Sequence, residues 1–368
     1  MKSGQKPAHA LDRMNRGPYT HNDPSINREP GKVAVGLYSG GLDSILAVKL
    51  VVDQGFQVIL VRFVSPFFED RQPDISILNS VLPAGSFCLR DVRLGVDFLQ
   101  MIRSPEYGYG KNLNPCLDCK IFMVKKAGEI LKECGAAFVF TGEVLGQRPM
   151  SQRRDALHVI GRDSGLGRYL LRPLCARLMP PTAAEESGLI RRESLLDISG
   201  RSRKRQMELA KEYGISGYPS PAGGCLLTDI SFARRLKAIL AEEDDKNNKD
   251  DQAILEDLPL LKVGRHFLIR PGVRLIVGRN HAENQKILAH GGKNGWLFRA
   301  VNVPGPVVLA QGNLEEPDFQ LAASITARYS DAKAKDGIMV SFGLNGSGKN
   351  RVLSVSPVED YLLERYRM

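Results

Sequence analysis

The sequence has few cysteines and no long apolar segment, and these two shortages exclude several classes of protein. Its 368 residues include six cysteines, too few for a small scaffold held together by disulfides. No stretch is long and apolar enough to cross a membrane, and residues 1–32 lack the apolar centre of a signal peptide. We therefore expect a cytoplasmic protein with no membrane association, whose cysteines are buried thiols, metal ligands or nucleophiles.

Acidic residues are in the minority, since 51 lysines and arginines face 41 aspartates and glutamates. The formal net charge of +10 favours a polyanionic partner such as RNA, although many proteins carry such a charge without binding nucleic acid. Residues 153–205 are especially rich in arginine, whose forked donors suit phosphate. We interpret this stretch as an RNA-binding surface, and the alternative is a solvated surface paired with acids.

The pattern of apolar and polar residues divides the chain into four segments. Residues 1–30 are polar and without periodicity, as in a flexible tail, and residues 241–252 form a charged run typical of a linker. Residues 31–240 alternate strands and helices, which predicts an α/β domain with a parallel sheet. Residues 253–368 contain short alternating strands and one clear helix, which predicts a smaller α+β domain.

The most informative stretch is the loop Ser39-Gly-Gly-Leu-Asp-Ser44, which joins a predicted strand, Val33–Tyr38, to an apolar helix. A glycine turn in this position directs backbone N–H groups at one point, as in phosphate-binding sites. Five residues are candidate ligands of a nucleotide: Ser39, Gly40, Gly41, Asp43 and Ser44. The Asp43 carboxylate is suited to hold Mg²⁺. The alternative is an ordinary turn in which Asp43 or Ser44 caps the helix.

A second loop follows the predicted strand Ala136–Thr141 and begins with Gly142. Loops at the carboxyl ends of parallel strands face the ligand in α/β nucleotide sites. Gln147 and Arg148 in this loop can donate hydrogen bonds to phosphate or ribose, although a surface loop would look similar.

Three cysteines stand in settings that core packing does not require. Cys116 and Cys119 form a C-x-x-C pair ahead of a predicted helix, Ile121–Cys134, and Cys225 follows a loop rich in proline and glycine. Structural zinc would normally take four protein ligands, and the sequence has no second C-x-x-C. Three thiolates suffice for a [4Fe–4S] cluster with one open iron, if the fold brings them together. The alternative is persulfide transfer through Cys225 alone.

Residues 32 to about 240 resemble the tRNA-thiolating branch of the PP-loop ATP pyrophosphatases, the 4-thiouridine synthetases and 2-thiouridylases. The resemblance is carried by Ser39–Ser44, by Asn114-Pro115 with Cys119-Lys120, and by Gly224-Cys225. It implies an α/β fold of the adenine nucleotide alpha hydrolase type, with ATP and Mg²⁺ as cofactors and tRNA as partner. It also implies that adenine lies at the end of the second strand, near Phe63, which could equally be a core aromatic.

Members of this branch activate a tRNA uridine as an adenylate and then replace its oxygen with sulfur. Some use a [4Fe–4S] cluster on three cysteines and others a cysteine persulfide. The C-x-x-C pair with a distant cysteine is more similar to the first type, which implies that Cys116, Cys119 and Cys225 are the cluster ligands. Asp43 and Cys225 are then the expected catalytic residues. The 2-thiouridylases often carry an acid where this chain has Cys116, so that variant does not map onto it.

Residues 253–368 resemble the RNA-binding domain of NFACT proteins. The matching stretches are Val277–Asn284, Pro304–Val308 and Ala322–Lys333. Residues 343–349 have the glycine and lysine spacing of a P-loop, but Asn350 replaces the Ser or Thr that would bind Mg²⁺. We therefore predict a hairpin loop at this position.

The leading hypothesis is an ATP-dependent tRNA uridine thiolase, that is, a tRNA sulfurtransferase. Its alternatives are a persulfide-based thiolase without a cluster, a PP-loop amidase or ligase of a small molecule, and an RNA-binding quality-control factor. An amidase would leave the three cysteines and the basic charge unexplained. The sequence leaves open the uridine position, the sulfur donor (sulfide or a cysteine desulfurase) and whether the chain forms a homodimer.

Overall fold

A computed structural model describes residues 31–68, 74–220, 225–245, 251–291, 295–332 and 336–368. The predicted tail, residues 1–30, lies outside these ranges, as do Gly224 and residues 246–250 of the predicted linker. The chain divides into two compact units. The first comprises the described residues of 1–110 and 114–224, and the second comprises 111–113 and those from 225 onward.

The first unit is built on a five-stranded sheet. Its strands are β1 (Val33–Leu37), β2 (Gln57–Val64), β3 (Phe87–Arg93), β4 (Phe138–Thr141) and β5 (Leu170–Leu171). They lie in the order β3-β2-β1-β4-β5, and every neighbouring pair is parallel. The predicted α/β class with a parallel sheet is therefore confirmed.

In the described part of the first unit, helices lie on both faces of this sheet. They are α1 (Leu42–Val52), α2 (Ser76–Val81), α3 (Val96–Arg103), α4 (Cys116–Cys134), α5 (Arg154–Asp163), α6 (Ala183–Glu186) and α7 (Lys204–Glu212). Side chains alternate between the two faces of a strand, so Ala34 packs with α1 and α7 while Val33 and Val35 pack with α4 and α5. The sheet is thus buried on both faces, as parallel sheets require.

The second unit contains a six-stranded antiparallel sheet. Its strands are β6 (Arg265–Arg270), β7 (Val273–Val277), β8 (Trp296–Ala300), β9 (Val308–Gln311), β10 (Ile338–Leu344) and β11 (Arg351–Val355), in the order β11-β10-β8-β9-β7-β6. Its helices are α8 (Ile230–Asp245), α9 (Asp251–Leu261), α10 (His281–His290), α11 (Glu316–Arg328) and α12 (Asp360–Tyr366). The predicted α+β class is confirmed.

Two local predictions, a hairpin loop and a charged linker, can be compared with the structure of the second unit. Residues 345–350 join β10 to β11, which pair antiparallel with Phe342 opposite Arg351, so the segment with P-loop spacing is a hairpin loop as predicted. The charged run 241–252, predicted as a linker, overlaps the end of α8 and the start of α9. None of the helices in the described part of the chain has the length and apolar character needed to cross a membrane.

Candidate active site

The position of β1 in the sheet defines the candidate site. β1 lies between β2 and β4, and the chain leaves β1 through α1 towards β2. The loops that follow β1 and β4 therefore separate at the carboxyl edge of the sheet. Open α/β sheets bind their ligands at such a switch point.

The loop after β1 is shaped by two glycines. Gly40 has a φ of +74°, which favours glycine, and Gly41 is the N-cap residue of α1 without a side-chain cap. The Ser44 hydroxyl donates to the Gly41 carbonyl across 2.7 Å, and the Ser39 hydroxyl donates to the Ser44 hydroxyl across 3.4 Å. The Gly41 N–H makes only a long contact of 3.4 Å with the Ser39 hydroxyl, and no side chain of the described residues caps α1. N–H groups in this state are what an anion site at a helix start needs.

Asp43 lies in the first turn of α1 and contacts the loop after β4. Its Oδ2 accepts a hydrogen bond of 2.8 Å from the Gln147 amide. Its Oδ1 is buried from solvent and has no hydrogen-bond partner. A buried carboxylate oxygen without a partner is costly, so this arrangement fits a cation or a donor supplied by a ligand. Mg²⁺ accompanying ATP meets that requirement.

Gly142 brings the two loops into backbone contact. A Cβ atom at this position would lie 2.7 Å from the Asp43 carbonyl carbon and from the Ser44 nitrogen. These are backbone atoms at the start of a helix, which cannot move aside cheaply. Only glycine therefore lets the loop after β4 approach α1 closely enough for Gln147 to reach Asp43.

Gln206 extends this hydrogen-bonded chain, and sequence reasoning missed it. It lies on α7, is fully buried, and donates to Gln147 Oε1 across 3.4 Å. Its own Oε1 has no hydrogen-bond partner. The only signal in the sequence is a glutamine on the apolar face of a predicted helix, which does not reveal its neighbour.

A buried ion pair supports the base of the same loop. Arg172 Nε lies 3.1 Å from Glu143 Oε2, which also accepts from the Thr141 hydroxyl, and Lys120 Nζ lies 3.9 Å from Oε1. Burial alone raises the pKa of a carboxyl, but Lys120 and Arg172 reverse this effect and hold the pKa of Glu143 below its usual value. Cys175 donates to the Glu143 carbonyl, and burial raises the pKa of its thiol to about 11. Cys175 is therefore a core thiol.

The C-x-x-C pair lies within α4. This helix begins at Cys116 and not at Ile121 as predicted, so both cysteines stand in its first turn, where their side chains share one side. Asp118 between them is buried and accepts from the Glu106 N–H at 2.8 Å and the Tyr107 N–H at 3.2 Å. These bonds attach the preceding loop to the start of the helix.

Cys225 belongs to the second unit, whereas Cys116 and Cys119 belong to the first. Within the ranges that the structure describes, no three His, Cys, Asp or Glu side chains are grouped as metal ligands are. The three-cysteine cluster therefore stays a prediction. Phe63 is half-buried near the end of β2 and packs against the core on the α4 side of the sheet, and its contact with adenine also stays a prediction.

The arginine-rich stretch is largely neutralised by acids. Of its eleven arginines, seven form ion pairs with carboxylates: Arg153, Arg162, Arg168, Arg172, Arg177, Arg192 and Arg205. An eighth, Arg154, donates to the Leu178 carbonyl across 3.0 Å. The acid-paired alternative therefore describes most of this stretch.

The second unit contains a groove of about 240 Å³ beside α10. Its lining includes His281, Gln285, Arg299 and Pro306 and contains no carboxylate. Arg299 is exposed on β8 and forms no ion pair with a described residue, unlike Arg270, which is paired with Asp318. The groove thus combines a cation, neutral donors and an apolar floor.

Two family models match the chain. Residues 30–177 match the model described as thiamine biosynthesis protein (ThiI), and residues 264–367 match the model described as NFACT protein RNA binding domain. Both resemblances inferred from the motifs are therefore confirmed.

Curated relatives and solved structures extend these matches. A probable tRNA sulfurtransferase of Methanosarcina acetivorans is 33% identical over 119 residues, which are 31% of this chain and 28% of that protein. The tRNA-specific 2-thiouridylase MnmA of Clostridium kluyveri is 32% identical over 127 residues, 30% of this chain and 35% of that protein. The U34-tRNA thiolase NcsA from Methanococcus maripaludis, solved with its [4Fe-4S] cluster, is 15% identical with a TM-score of 0.32, covering 64% of this chain and 74% of that chain. This structural likeness carries no argument about function, and the chain spans about a third of the length of these curated relatives.

Proposed function

We propose that the chain is an ATP-dependent tRNA sulfurtransferase that thiolates a uridine. The observation that carries the proposal is the Ser39–Ser44 loop at the switch point of the sheet, with Asp43 Oδ1 buried and without a partner. This loop lies in the part of the chain that matches the ThiI model, and relatives over a similar length are named for tRNA thiolation.

In this proposal, the loops after β1 and β4 both contribute residues that bind ATP and its Mg²⁺. The N–H groups of the first turn of α1 would take the pyrophosphate part, because no side chain of the described residues caps them. The Gly41 N–H, which makes only a 3.4 Å contact with the Ser39 hydroxyl, would join them. Asp43 Oδ1 would hold Mg²⁺, and Gln147 would keep Oδ2 engaged so that Oδ1 faces the metal. Phe63 would lie against the adenine.

Two bond exchanges then convert uridine to thiouridine. The uridine carbonyl oxygen attacks the α-phosphorus of ATP, and the bond from that phosphorus to pyrophosphate breaks. The oxygen is now part of an AMP group and leaves readily. A sulfide sulfur then forms a bond to the ring carbon that carries this oxygen, and the carbon–oxygen bond breaks with release of AMP. The preorganised loop contributes by neutralising the charge on the departing pyrophosphate.

Cys116, Cys119 and Cys225 would hold a [4Fe–4S] cluster. When bound, such a cluster on three thiolates leaves one iron without a protein ligand and so provides a site for sulfide. The positions of Cys116 and Cys119 suit this role, because residues three apart in the first turn of α4 present their side chains on the same side of the helix. The alternative for sulfur delivery is a persulfide on Cys225, formed with a cysteine desulfurase as donor.

The second unit would hold the body of the tRNA. Support comes from its match to the NFACT RNA-binding model and from the groove beside α10. Arg299 in this groove has no acidic partner among the described residues, so phosphate can engage it without displacing one of their carboxylates.

Release of pyrophosphate tests the proposal and separates it from the rival functions. The wild-type protein is expected to release pyrophosphate from ATP only when tRNA is present. Asp43→Asn should abolish this release, whereas Asp53→Asn, at the other end of α1 in an exposed pair with Lys49, should retain it. Release that depends on a small molecule would indicate an amidase or ligase. No release under any condition would indicate an RNA-binding factor.

A further inference from the structure

Four cations lie beside the loops of the candidate site: Arg148 in the loop after β4, and Arg201, Arg203 and Lys204 at the start of α7. Arg148, Arg201 and Lys204 are exposed, and Arg203 is half-buried. Among the described residues, none of the four forms an ion pair or a side-chain hydrogen bond, and the buried Arg203 Nε has no partner. By contrast, Arg205, one residue further on, is paired with Glu208 at 3.4 Å and Glu212 at 2.8 Å. Three cations without a side-chain partner among the described residues therefore stand within four residues at the start of α7.

Backbone contacts attach this segment to the loop that holds Asp43. Leu145 and Ser199 form a parallel bridge, and the Gly200 N–H donates to the Leu145 carbonyl across 2.7 Å. Because the two strands of a parallel bridge run in the same direction, Arg148 and Arg201 follow the bridge on adjacent segments. Two residues after the bridge, the same loop supplies Gln147 to Asp43.

Side-chain contacts reinforce the attachment from α7. Gln206 in the first turn of this helix is fully buried and donates to Gln147, which in turn donates to Asp43. Packing of α7 against α1 fixes the direction of the helix start. The segment of residues 201–204 is thus attached on both sides, through Gly200 and Gln206, to the border of the candidate site.

The exposure of these cations indicates whether they bind the phosphates of ATP or those of an RNA strand. In the proposed function, the phosphates of ATP would be bound by the N–H groups of the Ser39–Ser44 loop and by Mg²⁺ on Asp43. Exposed arginine and lysine side chains reach outward into solvent, where the ligand is a strand longer than one nucleotide. Cations that have no acidic partner among the described residues attract RNA, whereas the charge of the seven acid-paired arginines is largely neutralised.

Building on the proposed function, we infer that Arg201, Arg203 and Lys204, with Arg148 beside them, bind the backbone phosphates of the tRNA strand that enters the ATP site. The contact would place the target uridine against the α-phosphate of ATP. It would also explain why the loop after β4 must be joined both to Asp43 and to the segment before α7.

The test is tRNA binding by full-length variants as a function of salt. In Arg201→Ala/Lys204→Ala, the slope of log Kd against the logarithm of the salt concentration should be smaller by about two. Each phosphate contact releases about one counterion, and the variant lacks two such contacts. The KM for ATP should not change. Arg205→Ala is the matched control, since it removes a neighbouring exposed arginine that is already paired, and its salt dependence should equal that of the wild type.

Each outcome supports or overturns the inference. If the double variant binds tRNA with the wild-type salt dependence, the inference is overturned, while thiolation by the wild type would leave the proposed function standing. An unchanged affinity for tRNA with a raised KM for ATP would also overturn it, because the cations would then serve the nucleotide. A wild-type protein that neither binds nor thiolates tRNA would remove the proposed function itself.

Discussion

The Gln147 amide donates a 2.8 Å hydrogen bond to the Asp43 carboxylate and so joins the loops that follow β1 and β4. This bond uses Oδ2 of Asp43 and leaves the buried Oδ1 for a ligand. The two loops also meet through Gly142, whose missing side chain permits backbone contact with Asp43. The candidate nucleotide site is therefore a property of two strands and not of the Ser39–Ser44 motif alone.

Removal of the Gln147 amide should weaken ATP binding. Gln147→Ala takes away a hydrogen bond to a charged group, worth about 1.5 kcal/mol, and we expect ATP affinity to fall roughly tenfold. Isothermal titration calorimetry with Mg²⁺ and ATP measures this change. Gln54→Ala is the control, because Gln54 follows α1 and contacts Arg191 instead. Equal ATP affinity in Gln147→Ala and the wild type would show that the orientation of the Asp43 carboxylate does not depend on Gln147.

Because the backbone approach at Gly142 is so close, even the small substitution Gly142→Ala should destabilise the protein. Gly142→Ala would place a methyl group against backbone atoms of Asp43 and Ser44, and overpacking of this kind costs about 1–3 kcal/mol. Chemical denaturation should show the loss, together with weaker ATP binding. Gly161→Ala on α5 is the matched control, since its Cβ would meet nothing closer than 4.0 Å and alanine favours the helix. A Gly142→Ala protein as stable as the wild type would contradict the predicted clash.

The Glu143–Arg172 pair predicts a pH-dependent stability. Glu143→Gln leaves the buried Arg172 without its carboxylate and should cost about 3 kcal/mol at pH 7. The pKa of Glu143 is lowered in the folded protein, so its stabilisation is present above the unfolded pKa of about 4.3 and is lost as the pH falls through the folded value. The difference in unfolding free energy should therefore persist down to pH 5 and narrow below pH 4.

Urea denaturation at several pH values measures this effect. The control is Glu212→Gln, which breaks an exposed pair with Arg205 and should change stability by less than about 1 kcal/mol. A Glu143→Gln protein whose loss of stability grows towards acid pH would have the opposite sign and would refute the assignment.

The cluster hypothesis predicts iron in the purified protein. Anaerobic purification should give a brown protein with about four irons per chain, as expected for a cubane cluster. Serine at Cys116, Cys119 or Cys225 should remove both the iron and the visible absorbance.

Three other cysteines provide controls for the iron measurement. Cys88→Ser and Cys134→Ser replace half-buried side chains that pack against the core, and they should keep the iron. Cys175→Ser should also keep it, because the raised pKa of Cys175 marks a thiol that stays protonated. An iron-free protein that still thiolates tRNA would reject the cluster and favour the persulfide route.

The sequence allowed prediction of the parts of the site that rest on local pattern. The strand Val33–Leu37, the glycine turn and α1 follow from apolar runs and glycine positions within a short window. The second strand, Gln57–Val64, is likewise a continuous run rich in apolar, β-branched residues. The predicted start of α4 is too late because its N-cap residue, Pro115, and the two cysteines give weak helix signals.

Contacts between distant segments were beyond such a prediction. The bond from Gln147 to Asp43 and the burial of Gln206 depend on which helices pack together, and no periodicity records this.

The charge balance of residues 153–205 was misleading for a related reason. Its arginines outnumber acids along the chain, but folding brings Asp197 to Arg177 and Glu143 to Arg172. Net charge in sequence therefore overstated the charge available to a partner.

Mass spectrometry of tRNA nucleosides tests the central claim most directly. Cells that lack the protein should lose a thiolated uridine from their tRNA, and the wild-type gene should restore it. Asp53→Asn should restore it as well, because that carboxylate lies at the far end of α1, whereas Asp43→Asn should not. Unchanged thiouridine in the deletion strain, or full restoration by Asp43→Asn, would contradict the account of this chain as an ATP-dependent tRNA sulfurtransferase.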